Sequence, residues 1–216
     1  MPLEPPDFHP KVLDGNYFHE AALPEDQLST DKQRERRARI LDAAVAVAGD
    51  GGYDSVHMRD IATQAQVSLA TLYHYFPSKV HVLACALDRE LMRFDEHLSA
   101  DLSATTDPFV RLASVVNRLI QAMEASDAVS DAMAHAYVAS NVVASAEAEM
   151  IRTQTSDMFD HLMGPEHTAG LHRRIADTLT DVWTSEMLAL VQGRRTYPEI
   201  DQRLQTVIGI LARCGD

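Results

Sequence analysis

The stretch GYDSVHMRDIATQAQVSLATLYHYFPSK, residues 52–79, decides how this chain folds. Met58, Ile61, Ala62 and Ala65 recur at three- and four-residue steps, the spacing of one face of a short helix. A turn at Gln66-Val67-Ser68 follows. The next short helix runs from Leu69 to Tyr75, with Ser68 placed to cap it and Pro77 to punctuate its end. Two short helices joined by such a turn make a helix-turn-helix, whose second helix fits the major groove of DNA. Leu72 and Phe76, four apart, are expected to face the core, which leaves Leu69, Ala70, Thr71, Tyr73, His74 and Tyr75 facing outward. That outward set offers methyl groups, rings and hydrogen-bonding tips, suited to thymine methyls, base edges and phosphates.

On the N-terminal side, Thr30 with Gln33 reads as a capping box for a helix of about twenty residues that ends at Gly51-Gly52. Its first turns carry RERRAR, residues 34–39. Alone, such a run is as readily a solvated helix face. Beside a helix-turn-helix, Arg36, Arg37 and Arg39 read as phosphate contacts. Residues 32–81 hold seven Lys and Arg against five acidic residues, a local +2 within a 216-residue chain of net charge −13. The acidity lies in residues 1–31 (−6) and 82–216 (−9). An acidic body with one basic segment confines attraction for phosphate to that segment.

Residues 1–31 also carry five of the nine prolines and no sustained apolar period, so they are expected to form a flexible acidic arm. The chain is 46% hydrophobic and 24% charged, enough to bury a core without disulfide staples. No window approaches eighteen consecutive apolar residues, and the start lacks the basic-then-apolar pattern of a secretory signal; the expectation is a cytoplasmic protein with no membrane partner. Cys85 and Cys214, far apart in sequence, are read as free thiols.

Helical periodicity dominates from residue 32 onward, so the fold class is all-α, with about nine helices. A long helix is expected from about Ser78 to Ser99. Asp107-Pro108 is a strong helix start, and further helices are expected near 127–140, 145–163, 168–193 and 198–213. The division is an arm over 1–31, a three-helix DNA-binding domain over 32–80 and a larger helical domain over 81–216.

Seven of the nine methionines follow residue 90. Each alone is ordinary core. Together with neighbouring aromatics they suit a large deformable apolar pocket, for which Met123, Tyr137, Met158, Phe159, Trp183 and Met187 are the candidate ligand residues. The last two helices carry apolar faces at Ile175, Leu179, Val182, Leu188 and Val191, then at Ile200, Leu204, Val207, Ile208 and Leu211. His161, His167 and His172 lack the spacing of a metal site, and no paired carboxylates, phosphate loop or nucleophile elbow is visible. Neither an enzyme nor a cofactor is expected.

Arg59, Ile61, Ala62, Val67, Ser68, Leu72, Tyr73, Tyr75, Phe76 and Lys79 together resemble the DNA-binding module of TetR-type transcriptional repressors. The resemblance implies that Arg59 touches bases or phosphates, that Thr71, Tyr73 and His74 lie in the groove, and that Tyr75 and Lys79 hold phosphates. Ser68 and Leu69 belong to the same DNA-binding set. Three positions depart from the family pattern: His57 at the cap of the second helix, Gln66 in the turn where Gly is frequent, and Ala70. RERRARILDAAVAVAGDGGY, TLYHYFPSKVHVLACALDRE, AHAYVAS and IADTLTDVW resemble the KstR type, regulators of steroid catabolism in actinobacteria. That resemblance implies a homodimeric repressor on palindromic double-stranded operator DNA, released by an apolar inducer such as a steroid acyl-CoA thioester, with residues 81–216 serving as the ligand-binding and dimerisation domain. Arg111, Arg118, Arg152, Arg173 and Arg174 are the candidate cations for the CoA phosphates. A regulator answering to fatty acyl-CoA or a xenobiotic remains open, as does a helical binding protein or enzyme with a vestigial helix-turn-helix.

Overall fold

A computed structural model describes residues 21–98, 107–164 and 169–214. Ten α-helices follow in order: α1 (Asp31–Gly49), α2 (Gly52–Ser55), α3 (Met58–Gln64), α4 (Leu69–Tyr75), α5 (Lys79–Leu98), α6 (Pro108–Ala125), α7 (Asp127–Val143), α8 (Ser145–Met163), α9 (Ala169–Val191) and α10 (Tyr197–Cys214). A 3-10 turn at Glu25–Gln27 precedes them, and no strand occurs among the described residues.

The helix starts obey their local chemistry. Thr30 Oγ1 accepts the Gln33 N–H at 3.3 Å while Gln33 Oε1 accepts the Thr30 N–H at 3.0 Å, a complete capping box for α1. Asp107 Oδ1 accepts the N–H groups of Phe109 and Val110 at 2.9 and 3.2 Å, with Pro108 at the first helical position of α6. At Gly51-Gly52 the chain ends α1 and then makes the extra turn α2, which the sequence did not announce. Gly52 has φ +73°, and a Cβ there would stand 2.6 Å from Asp131 Oδ2. That same oxygen accepts the Tyr53 N–H at 2.9 Å, so α7 seats directly on α2.

The buried side chains form two clusters. The first joins Ile40, Leu41 and Ala44 of α1, Ile61 of α3, Leu72 and Phe76 around α4, Val82, Leu83 and Ala86 of α5, and Ala132, Met133 and Ala136 of α7. The second joins Leu91 and Leu98 of α5, Leu112 and Val116 of α6, Tyr137 of α7, Ile151, Met158 and Phe159 of α8, Leu179 and Trp183 of α9, and Ile200 and Leu204 of α10. Helices α5 and α7 contribute to both, so the burial pattern draws no line at residue 80. Each fully buried aliphatic side chain contributes on the order of 1.5–3 kcal/mol, and those from α7 tie the helix-turn-helix to the body.

Of the expected arm, residues 1–20 lie outside the described residues, but 21–30 departs from the expectation. It packs as a strap, with Ala22 and Leu28 buried. Three apolar residues, Ala22, Leu23 and Leu28, anchor a segment whose proline and acid content suggested none. Cys85 is a free, buried thiol pushed up to about 12, chiefly by that burial. The side chain of Cys214 lies outside the described residues.

One buried charge joins α9 to α10. Glu186, 1% exposed, is paired by Arg195 from the intervening turn and by Arg203 of α10, whose Nε lies 2.9 Å from Oε1. Burial alone would raise the carboxyl pKa. The hydrogen bonds and charges of the two guanidinium groups outweigh it and hold the carboxyl below its ordinary value. A group depressed on folding contributes stability above its unfolded pKa and loses it as the pH falls through the folded one. Glu186→Gln should therefore flatten the decline in urea midpoint as the pH falls below the ordinary glutamate pKa of about 4.3. An acid profile superimposable on the parent's would count against this pairing.

Candidate nucleic-acid interface and apolar cavity

The turn between α3 and α4 is held by its backbone. The Val67 N–H donates to the Ala62 carbonyl at 2.9 Å, and Gln66 takes φ +55°, the left-handed region that favours glycine. Glycine's frequency at this turn thus has its physical reason, and Gln66 accepts the strain. Ser68 Oγ accepts the Thr71 N–H at 3.0 Å, and the two hydroxyls lie 2.7 Å apart. His57 occupies the cap position of α3 without a side-chain hydrogen bond, as its chemistry predicts, and Arg59 stands exposed in the first turn.

Helix α4 presents Ala70, Thr71, Tyr73 and His74 on its accessible side, with Tyr73 49% exposed, while Leu69 is half-buried and packs in part against the first cluster. Leu72 and Phe76 are buried, as their spacing requires. Tyr75 is not outward. It is 2% exposed and packs in the first cluster, its carbonyl accepting the Leu23 N–H of the strap at 2.8 Å. As i+3 of Leu72 it lies on the same stripe as Phe76 at i+4, and the strap closes over it.

The basic run divides in the same way. Arg39 is exposed and Arg36 half-buried, both on the solvent side of α1. Arg37 turns inward instead: its guanidinium carbon lies 5.4 Å from the centre of the Phe76 ring, and Nη1 lies 3.8 Å from Glu25 of the strap. A cation held against a buried ring is spent on packing rather than offered to a phosphate. Lys79 is half-buried at the start of α5, with Nζ 3.9 Å from the centre of the Tyr53 ring and donating to the Tyr53 carbonyl at 3.1 Å. Burial lowers its pKa, against the pull of Asp54. Tyr53 in turn stacks on His135 of α7 at 5.3 Å. Two of an ammonium's three protons remain available for a phosphate.

Inside the body, a cavity of about 70 Å³ is lined by Leu87 and Leu91 of α5, Leu119 and Met123 of α6, Ser130, Met133, Ala134 and Tyr137 of α7, Ile151 of α8, and Trp183 and Met187 of α9. Met123, Tyr137, Trp183 and Met187 thus meet at one void. Met158 and Phe159 do not: both are fully buried, about two turns further along α8 than Ile151, and serve as core. The α5 pair, Leu87 and Leu91, went unrecognised because nothing local distinguishes them from core positions of a long helix. The Tyr137 hydroxyl lies 2.7 Å from Thr184 Oγ1, a polar anchor beside the apolar wall, and burial raises its pKa.

Candidate cations for CoA phosphates are engaged within the fold. Arg111 donates to the carbonyls of Leu162 and Met163 at 2.8 and 3.3 Å, Arg152 pairs with Asp181 at 2.9 Å, and Arg173 bridges Asp157 and Asp177. They fasten α8 to its neighbours. Arg118 and Arg174 stand exposed. Among the described residues no three His, Cys, Asp or Glu side chains are grouped to hold a metal, and no helix is long and apolar enough to cross a membrane. His167 lies outside the described residues.

Comparison with known proteins agrees with this geometry. A family model described as bacterial regulatory proteins, tetR family, matches residues 40–84, and one described as the tetracyclin repressor-like C-terminal domain matches residues 106–211. The HTH-type transcriptional repressor KstR of Mycobacterium tuberculosis is 37% identical over 206 residues, covering 95% of this chain and 92% of its own. Among solved structures, a TetR transcriptional regulator from Rhodococcus sp. RHA1 superposes with a TM-score of 0.73 at 23% identity, covering 84% of this chain and 97% of its own. FadR of Thermus thermophilus, a TetR-family transcriptional repressor in complex with lauroyl-CoA, gives 0.66 at 19%, covering 82% and 93%. The chain belongs to the TetR family, and within it is a DNA-binding transcriptional repressor of the KstR type.

Proposed function

We propose that this repressor sits on a palindromic operator as a homodimer in the cytoplasm and is released by a bulky apolar acyl-CoA thioester, a steroid one by the KstR resemblance. Helix α4 lies in the major groove, with Leu69, Thr71, Tyr73 and His74 toward the bases. Ser68, Arg36, Arg39, Arg59 and Lys79 serve the flanking phosphates. Helices α9 and α10 form the face between protomers, since family members bind operators as dimers and a dimer places two recognition helices about one helical turn of DNA apart.

The observation that carries the release mechanism is the lining of the 70 Å³ cavity by Leu87 and Leu91 of α5, the helix that begins four residues after α4 ends. Drug-sized pockets measure roughly 300–1,000 Å³, so a bulky ligand enters only by driving its walls apart. One wall is the helix joined to the recognition helix. Its displacement changes the spacing between the two heads of the dimer and weakens operator binding. The ligand must discriminate between the two arrangements to do this.

The test is a gel shift on DNA from upstream of the protein's own gene, at fixed salt, with a steroid acyl-CoA thioester, a fatty acyl-CoA or neither, alongside thermal shifts with the same compounds. A steroid thioester that raises the unfolding temperature and abolishes the shift is the expected result. Equal operator affinity with and without saturating thioester would overturn the release mechanism. A response to the fatty thioester alone would reassign the ligand.

A further inference from the structure

The strap, residues 21–30, crosses from α8 to the C-terminal end of α4, and two successive backbone amides carry the crossing. The Ala22 N–H donates to Glu147 Oε1 of α8 at 2.5 Å. The Leu23 N–H donates to the carbonyl of Tyr75, the last residue of α4, at 2.8 Å. The other end is fixed on α1, where Arg34 Nη1 donates to the Leu28 carbonyl at 2.6 Å.

Glu147 is an unexpected residue for its place. It is 4% exposed, and its second oxygen, Oε2, has no hydrogen-bond partner. A buried carboxylate is costly unless its hydrogen bonds are made, so packing alone would favour an apolar side chain here. Beneath the strap lies a cavity of about 230 Å³ bordered by Leu23, Arg37, Cys85, Asp88, Glu147 and Met150. Ala22 and Leu28 are packed into the core, but the cavity leaves the packing under the strap's first residues incomplete, so the glutamate bond helps to set where those residues lie. Glu147 is also one helical turn from Ile151, a wall of the inducer cavity, and i and i+4 share a face.

We propose that Glu147 is a positioning residue for operator recognition. It fixes the strap, the strap fixes the C-terminal end of α4, and a shift of α8 against an inducer reaches the recognition helix without passing through α5. This rests on α4 being the operator-reading helix.

The test uses the full chain without DNA or ligand, following amide exchange of peptides over residues 69–76 by mass spectrometry. Glu147→Met, which keeps volume and deletes the acceptor, is expected to speed exchange there about tenfold, the equivalent of one charge-assisted hydrogen bond. Glu147→Gln keeps an acceptor oxygen and should stay within about twofold of the parent. Leu23→Pro removes the second amide along with the leucine's packing, leaves α8 untouched, and should reproduce the Met effect if Glu147→Met fails to fold; Leu23→Ala, which keeps the amide, separates the packing contribution. Unchanged exchange at 69–76 while residues 21–28 open would overturn the proposal. Operator affinity is then measured for the same variants and for Tyr73→Ala, which leaves the strap alone. Loss of affinity in Tyr73→Ala but not in Glu147→Met would overturn the positioning role while keeping α4 as the reader. Loss in neither would refute recognition by α4 itself.

Discussion

Replacing Leu188 of α9 and Ile210 of α10 together by glutamate is expected to yield a folded monomer with operator affinity reduced by roughly 10²–10⁴. Both are large apolar side chains left in solvent, 38% and 47% exposed, on helices whose opposite faces supply Leu179, Trp183, Ile200 and Leu204 to the core. Exposed positions of this kind change monomer stability by about 0.5 kcal/mol or less. In the proposed α9–α10 face between protomers these carboxylates would be buried without partners, which makes the dimer, and not the fold, the casualty. Affinity falls with it because binding of the second head on a dimer is intramolecular, at an effective concentration near millimolar. Sedimentation equilibrium and a gel shift on the same preparation check both halves. A double variant that remains dimeric would place the interface elsewhere.

The two tyrosines of α4, Tyr73 and Tyr75, should separate completely. Tyr75→Ala removes a ring that is 2% exposed and is expected to cost about 3–5 kcal/mol, the range for emptying an aromatic site in a core. Set against a typical domain stability of about 5–15 kcal/mol, that is a large fraction, and operator binding fails with the fold. Tyr73→Ala, at a half-exposed position, should move stability by about 0.5 kcal/mol or less. Its loss appears in operator affinity, about 1–3 kcal/mol if the ring or hydroxyl meets base edges, with non-specific DNA affected far less. Urea unfolding and gel shifts on the two variants provide the comparison. A stable Tyr75→Ala protein with a selective DNA defect would restore Tyr75 to the groove and contradict the packing described above.

The separation of those tyrosines shows how far a pattern reaches. A helix of seven residues offers two turns, and Leu72 with Phe76 is enough to name a buried stripe, yet the i+3 position between them reads as solvent-facing. The tertiary packing decides it, with the strap's Leu23 amide bonded to the Tyr75 carbonyl. Arg37 is the parallel case: in the sequence it is one of four arginines in a run, and in the fold it is the one whose neighbour is the Phe76 ring. Met158 and Phe159 satisfy the composition of a ligand pocket as well as Met123 and Met187 do. They differ in which turn of their helix faces the void.

By itself the sequence determined the helical class, most of the helix limits, the helix-turn-helix and the family. Each of these rests on interactions within a few residues: Thr30 with Gln33, Asp107 with Phe109, Ser68 with Thr71, and the apolar period of each helix. Tertiary structure alone decided the rest. Asp131 caps Tyr53 from 78 residues away, and Glu147 holds Ala22 from 125. The cavity takes its walls from five helices. No capping rule or periodicity links positions so distant, because their meeting is fixed by how α7 and α8 pack on α5, and packing is settled by the whole set of side-chain volumes rather than by any one of them.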